Sequence, residues 1–318
     1  MQSYKHFTLE ERESLQQLKR EGKSDSEIAV MLKRNRSSIG RELKRNSNRD
    51  GSYHPWRATS LYMDRRKKCG RKYVLLRDEP LHTYVLRRLK LGHSPECIVG
   101  RYKKENHGAK LSFSTIYRAI ERGILPGITA KEHLRRRGKG RYGSRSKFNT
   151  NTIQPDRTIH ERPDKASSRT RVGDWEGDTL VGGKGCVFTA VDRKTRYLTA
   201  AVSRSQSSDA VKAAAKVAIG SMPRYTLTLD NGSEFAKHRE LASELGIDIY
   251  FADPRSPWQR GTNENTNGLL RYYYPKGTDF LKVNVADLDL IVSLLNDRPR
   301  KCLDWLSPRE VFLATCCT

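Results

Sequence analysis

Three acidic residues stand out by type and place: Asp178 in WEGDTLVG, Asp230 in LDNGSEF and Glu264 in NENTNG. Carboxylates gathered at one point raise one another's pKa, because each negative charge opposes ionisation of the next. A divalent cation relieves that repulsion. Oxygen ligands at a site that tolerates water suit Mg2+, with Mn2+ as a substitute. Two such ions roughly 3.5–4 Å apart would activate an attacking oxygen and stabilise a leaving one in an in-line phosphoryl displacement. Taken singly, each residue has a plainer reading. Asp230-Asn231-Gly232 is also a turn sequence. Asp174 and Glu176 share a strand face with Asp178 and rival it. Glu264 is a charge that a helix dipole would favour anyway. The joint pattern carries the metal chemistry. The six cysteines (Cys69, Cys97, Cys186, Cys302, Cys316, Cys317) include no CxxC pair, and neither they nor the eight histidines have metal-ligand spacing. They read as incidental thiols in a reducing cytoplasm.

These carboxylates need elements that bring them together, and residues 172–318 have the pattern for it. VGDWEGDTLVG, CVFTAVDRKT and RYLTAAVSRS read as three strands, with turn chemistry from Asp192 to Arg196. An Ala-rich helix follows in SSDAVKAAAKVAIGSM, then a strand in YTLTLDNG, a helix closed by Gly246, a fifth strand in IDIYFAD and a helix that ends before Pro275. Further helices are expected at 285–296 and 307–315. Antiparallel strands, a crossover helix, then strand-helix-strand-helix predicts a mixed α/β sheet covered by helices, the ribonuclease-H-like order. In that order the first and fourth strands are neighbours. Asp178 and Asp230 would then meet at one edge, with Glu264 brought over them by the later helix. Trp175 is expected in the core, opposite Asp178. Asn231, Asn263, Asn265 and Asn267 fit capping and turns, or DNA contact. Trp258 and Gln259 read as core and cap, or as supports of an active-site loop.

Charge divides the chain. Lys and Arg number 61 against 36 Asp and Glu, and the excess lies in residues 1–171, at net +24, while residues 172–318 carry net +1. A half-chain so basic calls for a polyanion, and double-stranded DNA is the usual one. Residues 1–50 contain three short helices. Thr8 with Glu11 and Ser24 with Glu27 have capping-box spacing, and Leu9, Leu15, Leu18, Ile28, Ala29, Leu32, Ile39 and Leu43 face inward. The third helix leaves Arg36, Ser37, Ser38, Arg41, Lys44 and Arg45 outward, the layout of a helix-turn-helix reader. The pattern recurs within 51–130. Ser94 and Pro95 open one helix, and Ser-Thr-Ile-Tyr-Arg parallels the earlier Ser-Ser-Ile-Gly-Arg, placing Ser114, Thr115 and Arg118 on a second basic face. The run RRKKCGRK at 65–72 is a DNA-backbone contact or a solvated loop. Residues 131–171, rich in Gly, Ser, Asn and Arg, are expected to form an extended basic linker. No stretch reaches the roughly 20 apolar residues of a membrane span, and the N-terminus lacks a signal-peptide pattern.

Asp230 and Glu264 are separated by 33 residues. That spacing, with WEGDTLVG, LDNGSEF and SPWQRGTNENTNGLLR, resembles the DDE transposases with a retroviral-integrase-like core, most closely the insertion-sequence-thirty family. EIAVMLKRNRSSIGRELKRN, SPECIVGRYK, STIYRAI, IHERP and LNDRPRKCLDWLSPREVF extend the resemblance over nearly the whole chain. RYYYP departs from it, standing where the family more often has an amide and then an aromatic pair. The resemblance implies that Asp178, Asp230 and Glu264 are the catalytic, metal-binding triad. It also implies that Arg271, seven residues after Glu264 and on the same helix face, lies near the scissile DNA end. It further implies a homo-oligomer that binds terminal inverted repeats, cleaves there and joins the ends to target DNA. Membrane and small-molecule substrates are not expected, and the protein would act in the bacterial cytoplasm at the nucleoid. Two alternatives remain: an inactive DNA-binding regulator, and a structure-selective nuclease of the same fold.

Overall fold

The computed structural model describes residues 5–69, 73–106, 110–134, 153, 156–254 and 256–316. The chain divides into two compact units, Met1–Arg77 and Asp78–Thr318.

The first unit holds α1 (Leu9–Arg20), α2 (Asp25–Met31), α3 (Arg36–Asn46), α4 (Pro55–Lys68) and α5 (Val74–Arg77). Both capping boxes form. The Thr8 hydroxyl accepts from the Glu11 amide while the Glu11 carboxylate accepts from the Thr8 amide, and Ser24 with Glu27 does the same. Leu15, Leu18, Ile28, Ala29 and Ile39 bury together with Phe7, Tyr53 and Ala58, so residues beyond position 50 complete this core. Beneath it, buried Arg12 donates to Glu42 at 2.7 Å, and Glu42 also accepts from Tyr53 and Asn46. On α3, Arg36, Ser37, Arg41, Lys44 and Arg45 are exposed and Ser38 is half-buried.

The second unit begins with α6 (Glu79–Lys90), α7 (Pro95–Glu105), α8 (Phe113–Glu121), α9 (Ala130–His133) and α10 (Asp164–Ser167). Helices α7 and α8 repeat the local chemistry of α2 and α3. Ser94 caps α7 through the Cys97 amide as Ser24 caps α2 through that of Glu27. Ser112 accepts from the Ser114 amide as Asn35 accepts from that of Ser37. Arg118 donates to the Ser114 carbonyl as Arg41 does to that of Ser37. Ser114 and Thr115 are half-buried and Arg118 is exposed.

The unit boundary after Arg77 falls inside the region expected at 51–130, because α7 is fastened to the C-terminal segment. The Trp305 indole occupies the space a side chain at Gly100 would need. Arg101 makes a two-pronged pair with Glu310, both arms at 2.8 Å, and the Cys97 thiol donates to the Pro299 carbonyl.

The sheet follows: β1 (Asp174–Val181), β2 (Cys186–Asp192), β3 (Leu198–Ser203), α11 (Ser208–Ile219), β4 (Thr226–Leu229), α12 (His238–Leu245) and β5 (Asp248–Phe251). The chain continues through α13 (Gly261–Tyr273), α14 (Val285–Asn296) and α15 (Pro308–Cys316). The strand order is β3-β2-β1-β4-β5, with the first three antiparallel and β4 and β5 parallel to β1. Trp175, Phe188, Leu227 and Phe251 pack against Val211, Ala215 and Leu241 on one face. Leu180, Val187 and Leu198 pack against Leu270, Leu288 and Leu295 on the other. Burial on both faces explains the near-continuous apolar run of β2. The architecture is thus an N-terminal helix-turn-helix region followed by an integrase-like α/β core.

The expected extended linker needs correction at its end. Residues 135–152, 154 and 155 lie outside the described residues, as do 70–72 of the basic run. Residues 156–171 are folded onto the sheet. The Phe251 amide donates to the Arg157 carbonyl, Arg157 pairs with Asp248 at 2.6 Å, and Arg162 donates to Thr228. This strip covers the open edge of β5, which would otherwise expose unpaired backbone groups. Among the described residues no helix is long and apolar enough to cross a membrane.

Candidate active site

Alternation along β1 sends Trp175 toward α11 and Asp174, Glu176 and Asp178 toward the opposite face. Their partners separate the three acids. Asp174 is fully buried and satisfied by Arg171 at 2.8 and 3.0 Å and by the Thr226 hydroxyl at 2.7 Å. Glu176 is also fully buried. It pairs with Arg193 and accepts the backbone amides of Thr262 and Asn263, each at 3.1 Å. Helix α13 starts at Arg260-Gly261 without a capping side chain of its own, so Glu176 caps it from the neighbouring strand. Asp178 keeps a side chain that is 25% exposed. It accepts from the Thr179 amide and from Asn267 Nδ2, both at 2.9 Å.

Asp230 follows β4 directly, and the parallel register of β1 with β4 brings it alongside Asp178. Its Oδ1 accepts from the Gly232 amide at 3.3 Å. The Glu234 carboxylate, hydrogen-bonded to Thr179, packs over Gly232 and would have to shift to admit a side chain there. Arg260 joins the two aspartates, with Nη2 2.9 Å from Asp230 and Nη1 3.5 Å from Asp178. Burial pushes the Asp178 carboxyl up to about 6, with the Asp230 charge adding to the rise and Arg260 opposing it.

Glu264 is exposed and makes no hydrogen bond or ion pair among the described residues. No group of three His, Cys, Asp or Glu able to hold a metal ion forms among those residues. The expected convergence therefore holds for the two aspartates and not for Glu264. The reason lies in how α13 is seated. Asn263 and Asn267, one turn apart, face the sheet. Asn263 donates to the Glu176 and Thr189 carbonyls at 2.8 and 3.3 Å, and the Thr189 hydroxyl donates to both asparagine side chains. Glu264 is rotated about 100° from Asn263 and looks outward. Arg271 lies two turns further on, half-buried, with Nη2 donating to the Val181 carbonyl at 2.8 Å.

Four of the sequence expectations are thereby sharpened or corrected. Asn263 and Asn267 are buried clamps between helix and sheet, Asn231 is buried against the Ala252 carbonyl, and Asn265 is exposed. Trp175 is fully buried, whereas Trp258 is 74% exposed and is no core residue. Gln259 grips Asp253 at both amide ends, 2.8 Å each, and His160 reaches the same carboxylate at 2.9 Å. The sequence presents Glu176 only as a rival of Asp178, not as the cap of α13, and does not mark Thr189 or Arg260 as builders of the site. The available signal was a helix opening without an Asn, Asp, Ser or Thr cap, next in space to an acidic residue inside a buried strand.

The donor chemistry suits a divalent cation. Asp178 and Asp230 offer hard oxygens, their combined charge already attracts a guanidinium, and Glu264 has its carboxylate uncommitted on the adjoining helix.

A helix-turn-helix domain model matches residues 3–46, and an integrase core domain model matches residues 170–257. The first covers α1 to α3. The second spans β1 to β5, including Asp178 and Asp230. The chain is 38% identical to the transposase for insertion sequence element IS4351 of Bacteroides fragilis, over 97% of this chain and 95% of that protein. It is 37% identical to transposase InsI for insertion sequence element IS30A of Escherichia coli (strain K12), over 96% of this chain and 83% of that protein. Among solved structures, the catalytic core domain of BIV integrase covers 44% of this chain and 93% of its own, at 23% identity and a TM-score of 0.35.

Proposed function

This chain belongs to the IS30 family of insertion-sequence transposases, and we propose that Asp178, Asp230 and Glu264 are its catalytic carboxylates. It is a DDE transposase that binds DNA through a helix-turn-helix domain, and enzymes of this kind use divalent metal ions. The observation that carries the residue assignment is the pairing of Asp178 and Asp230 across adjacent parallel strands under one guanidinium.

In this reading Asp178 and Asp230 would hold Mg2+, for which Mn2+ would substitute, and Glu264 would complete the set by turning its side chain toward them. The bound ions supply polarisation of the phosphoryl oxygens and of the attacking oxygen. Asn267 holds the Asp178 carboxylate in register, and Glu176 holds the helix that carries Glu264. Arg271 contacts DNA near the reacting phosphate. Water attacks phosphorus first, the P–O3′ bond breaks and a 3′-hydroxyl is released. That hydroxyl then attacks a target phosphorus, the P–O3′ bond of the target strand breaks and its 3′-oxygen leaves as a hydroxyl, so no covalent protein intermediate is needed. Residues 1–50 read the terminal inverted repeats through Arg36, Ser37, Ser38, Arg41, Lys44 and Arg45. Residues 51–130 add contacts from Ser114, Thr115 and Arg118, 131–171 connect, and 172–318 cut and join. Two ends must be held at once, so the enzyme works as a homo-oligomer on DNA, at the bacterial nucleoid.

Labelled repeat ends in a strand-transfer assay test this. Asp178→Asn, Asp230→Asn and Glu264→Gln should each abolish cleavage and joining while gel-shift binding persists, and a chelator should do the same to the unmodified chain. Near-normal cleavage by any one variant would remove that residue from the triad. Cutting without joining by the unmodified chain would make the protein a nuclease.

A further inference from the structure

Beside the first turns of α13 lies a cleft of about 200 Å³ that the triad does not use. Arg169, Arg196 and Arg300 line it together with Asn265, Thr266 and Cys302. Three arginines share one small cleft, and no carboxylate lines it. Among the described residues neither Arg169 nor Arg196 is paired with an acidic side chain. Arg196 is held in place by donating Nη1 to the Thr262 hydroxyl at 2.8 Å. Arg169 is exposed, while Arg300 is buried beneath them. The concentration of charge is felt nearby. Burial brings the Arg193 guanidinium down to about 10, with Arg162, Arg169 and Arg196 lowering it further against the pull of Glu176.

The cleft continues the exposed ridge of the catalytic helix. Gly261, Glu264 and Asn265 are exposed along α13, and a side chain at Gly261 would meet nothing within 4 Å. Gly261 and Asn265 belong both to that exposed ridge and to the cleft, so a polymer crossing the ridge reaches the arginines. Thr262 and Glu264 are about 200° apart around the helix, so the cleft lies on the flank of α13 away from Glu264. Arginine forks match phosphate oxygens, and Arg169 and Arg196, paired with no acidic side chain among the described residues, favour a ligand that brings its own negative charge.

We propose that the Arg169–Arg196–Arg300 cleft binds a backbone phosphate of the DNA strand as it crosses α13. The ligand class is a phosphodiester of duplex DNA. The proposal rests on the proposed function in one respect: it takes the helix that carries Glu264 to lie against the DNA.

Cys302, exposed at the rim of the cleft, reports on it directly. The full-length chain is alkylated with iodoacetamide with and without a mixed-sequence DNA duplex, in the presence of Mg2+. Each cysteine-containing peptide is quantified by mass spectrometry, with Cys69, exposed in the other compact unit, as reference. DNA should slow labelling of Cys302 at least several-fold relative to Cys69. Arg169→Ala, at an exposed position, should weaken that protection, and Arg169→Ala with Arg196→Ala should remove it. Arg169→Lys should restore part of it. DNA binding by the double variant should show a salt slope shallower by about 0.9 for each phosphate it no longer neutralises. Equal labelling of Cys302 with and without DNA overturns the proposal. So does equal protection by inorganic phosphate alone, which would make this a small-anion site, and so does protection that survives the double variant. Absence of Cys302 protection in the unmodified chain, with triad-dependent cleavage intact, sinks the cleft alone. Cleavage that survives Glu264→Gln, with Cys302 still protected by DNA, sinks the triad reading instead.

Discussion

The Arg260 guanidinium lies 2.9 Å from the Asp230 carboxylate, and its other arm reaches Asp178 at 3.5 Å. An internal cation thus sits between the two aspartates, where a metal ion would otherwise answer their repulsion. Arg260→Ala should therefore destabilise the metal-free chain by about 1–2 kcal/mol, since a charged hydrogen bond is removed and two carboxylates are left facing each other. Melting would fall by roughly 2–6 °C. Added Mn2+ should raise the melting temperature more in the variant than in the unmodified chain, because it no longer competes with the guanidinium. Equal metal-induced shifts in the two proteins would show that Arg260 and metal do not share the site.

Asp178 links stability to pH. Its folded pKa of about 6 is above the usual carboxylate value of 3.8. The folded state therefore binds the proton more tightly than the unfolded chain. Stability associated with this group is fully present below pH 3.8 and is lost as pH rises through about 6. At neutral pH the ionised form costs on the order of 3 kcal/mol, reduced by the solvent that reaches its partly exposed side chain. Asp178→Asn should thus be inactive yet more stable than the unmodified metal-free chain at pH 7. The advantage should vanish at pH 4, as read by denaturant titration at the two pH values. A variant less stable at pH 7 would contradict the assigned burial.

Glu176 makes a different prediction from the triad. Glu176→Gln breaks a fully buried pair and leaves Arg193 without its counter-charge. A loss of about 3–5 kcal/mol is expected, with weaker capping of α13 and reduced activity. Glu264→Gln, at an exposed position, should leave stability within about 0.5 kcal/mol while abolishing activity. Denaturation curves of the two variants side by side check this. Similar stabilities would remove Glu176 from its anchoring role.

The N-terminal unit supplies a test of DNA recognition. Residues 1–77 have their own core, so a fragment ending at Arg77 should bind the element's end. A cut at 130 would instead strip α7 from Trp305 and Glu310, its partners in the C-terminal segment. The fragment's affinity should fall steeply with salt, and Arg41→Ala or Lys44→Ala should flatten the slope by about 0.9 for each phosphate left without its cation. Gel shifts on repeat and scrambled duplexes at two salt concentrations decide it. Repeat preference confined to 78–318 would move recognition out of the first unit.

Local chemistry was legible in the sequence wherever neighbours in the chain decide the outcome. Thr8 with Glu11, Ser24 with Glu27 and Ser94 before Pro95 mark helix starts because capping acts within one turn. The two-residue period of β1 placed Trp175 on one face and three acids on the other, and the likeness of the strand and helix order to the ribonuclease-H-like fold implied that β1 and β4 lie side by side with Asp178 near Asp230. What remained undecided depended on groups far apart in sequence. Asp174, Glu176 and Asp178 look alike as a series, and only packing shows that Arg171 and Thr226 satisfy the first, Arg193 and the start of α13 the second, while the third stays partly open. The same packing turned Asn263 and Asn267 inward and left Glu264 outward. It also folded residues 156–171 onto β5 and docked α7 on Trp305. Hydrogen bonds and burial between distant segments are fixed by the three-dimensional arrangement, and helical or strand periodicity is silent about them.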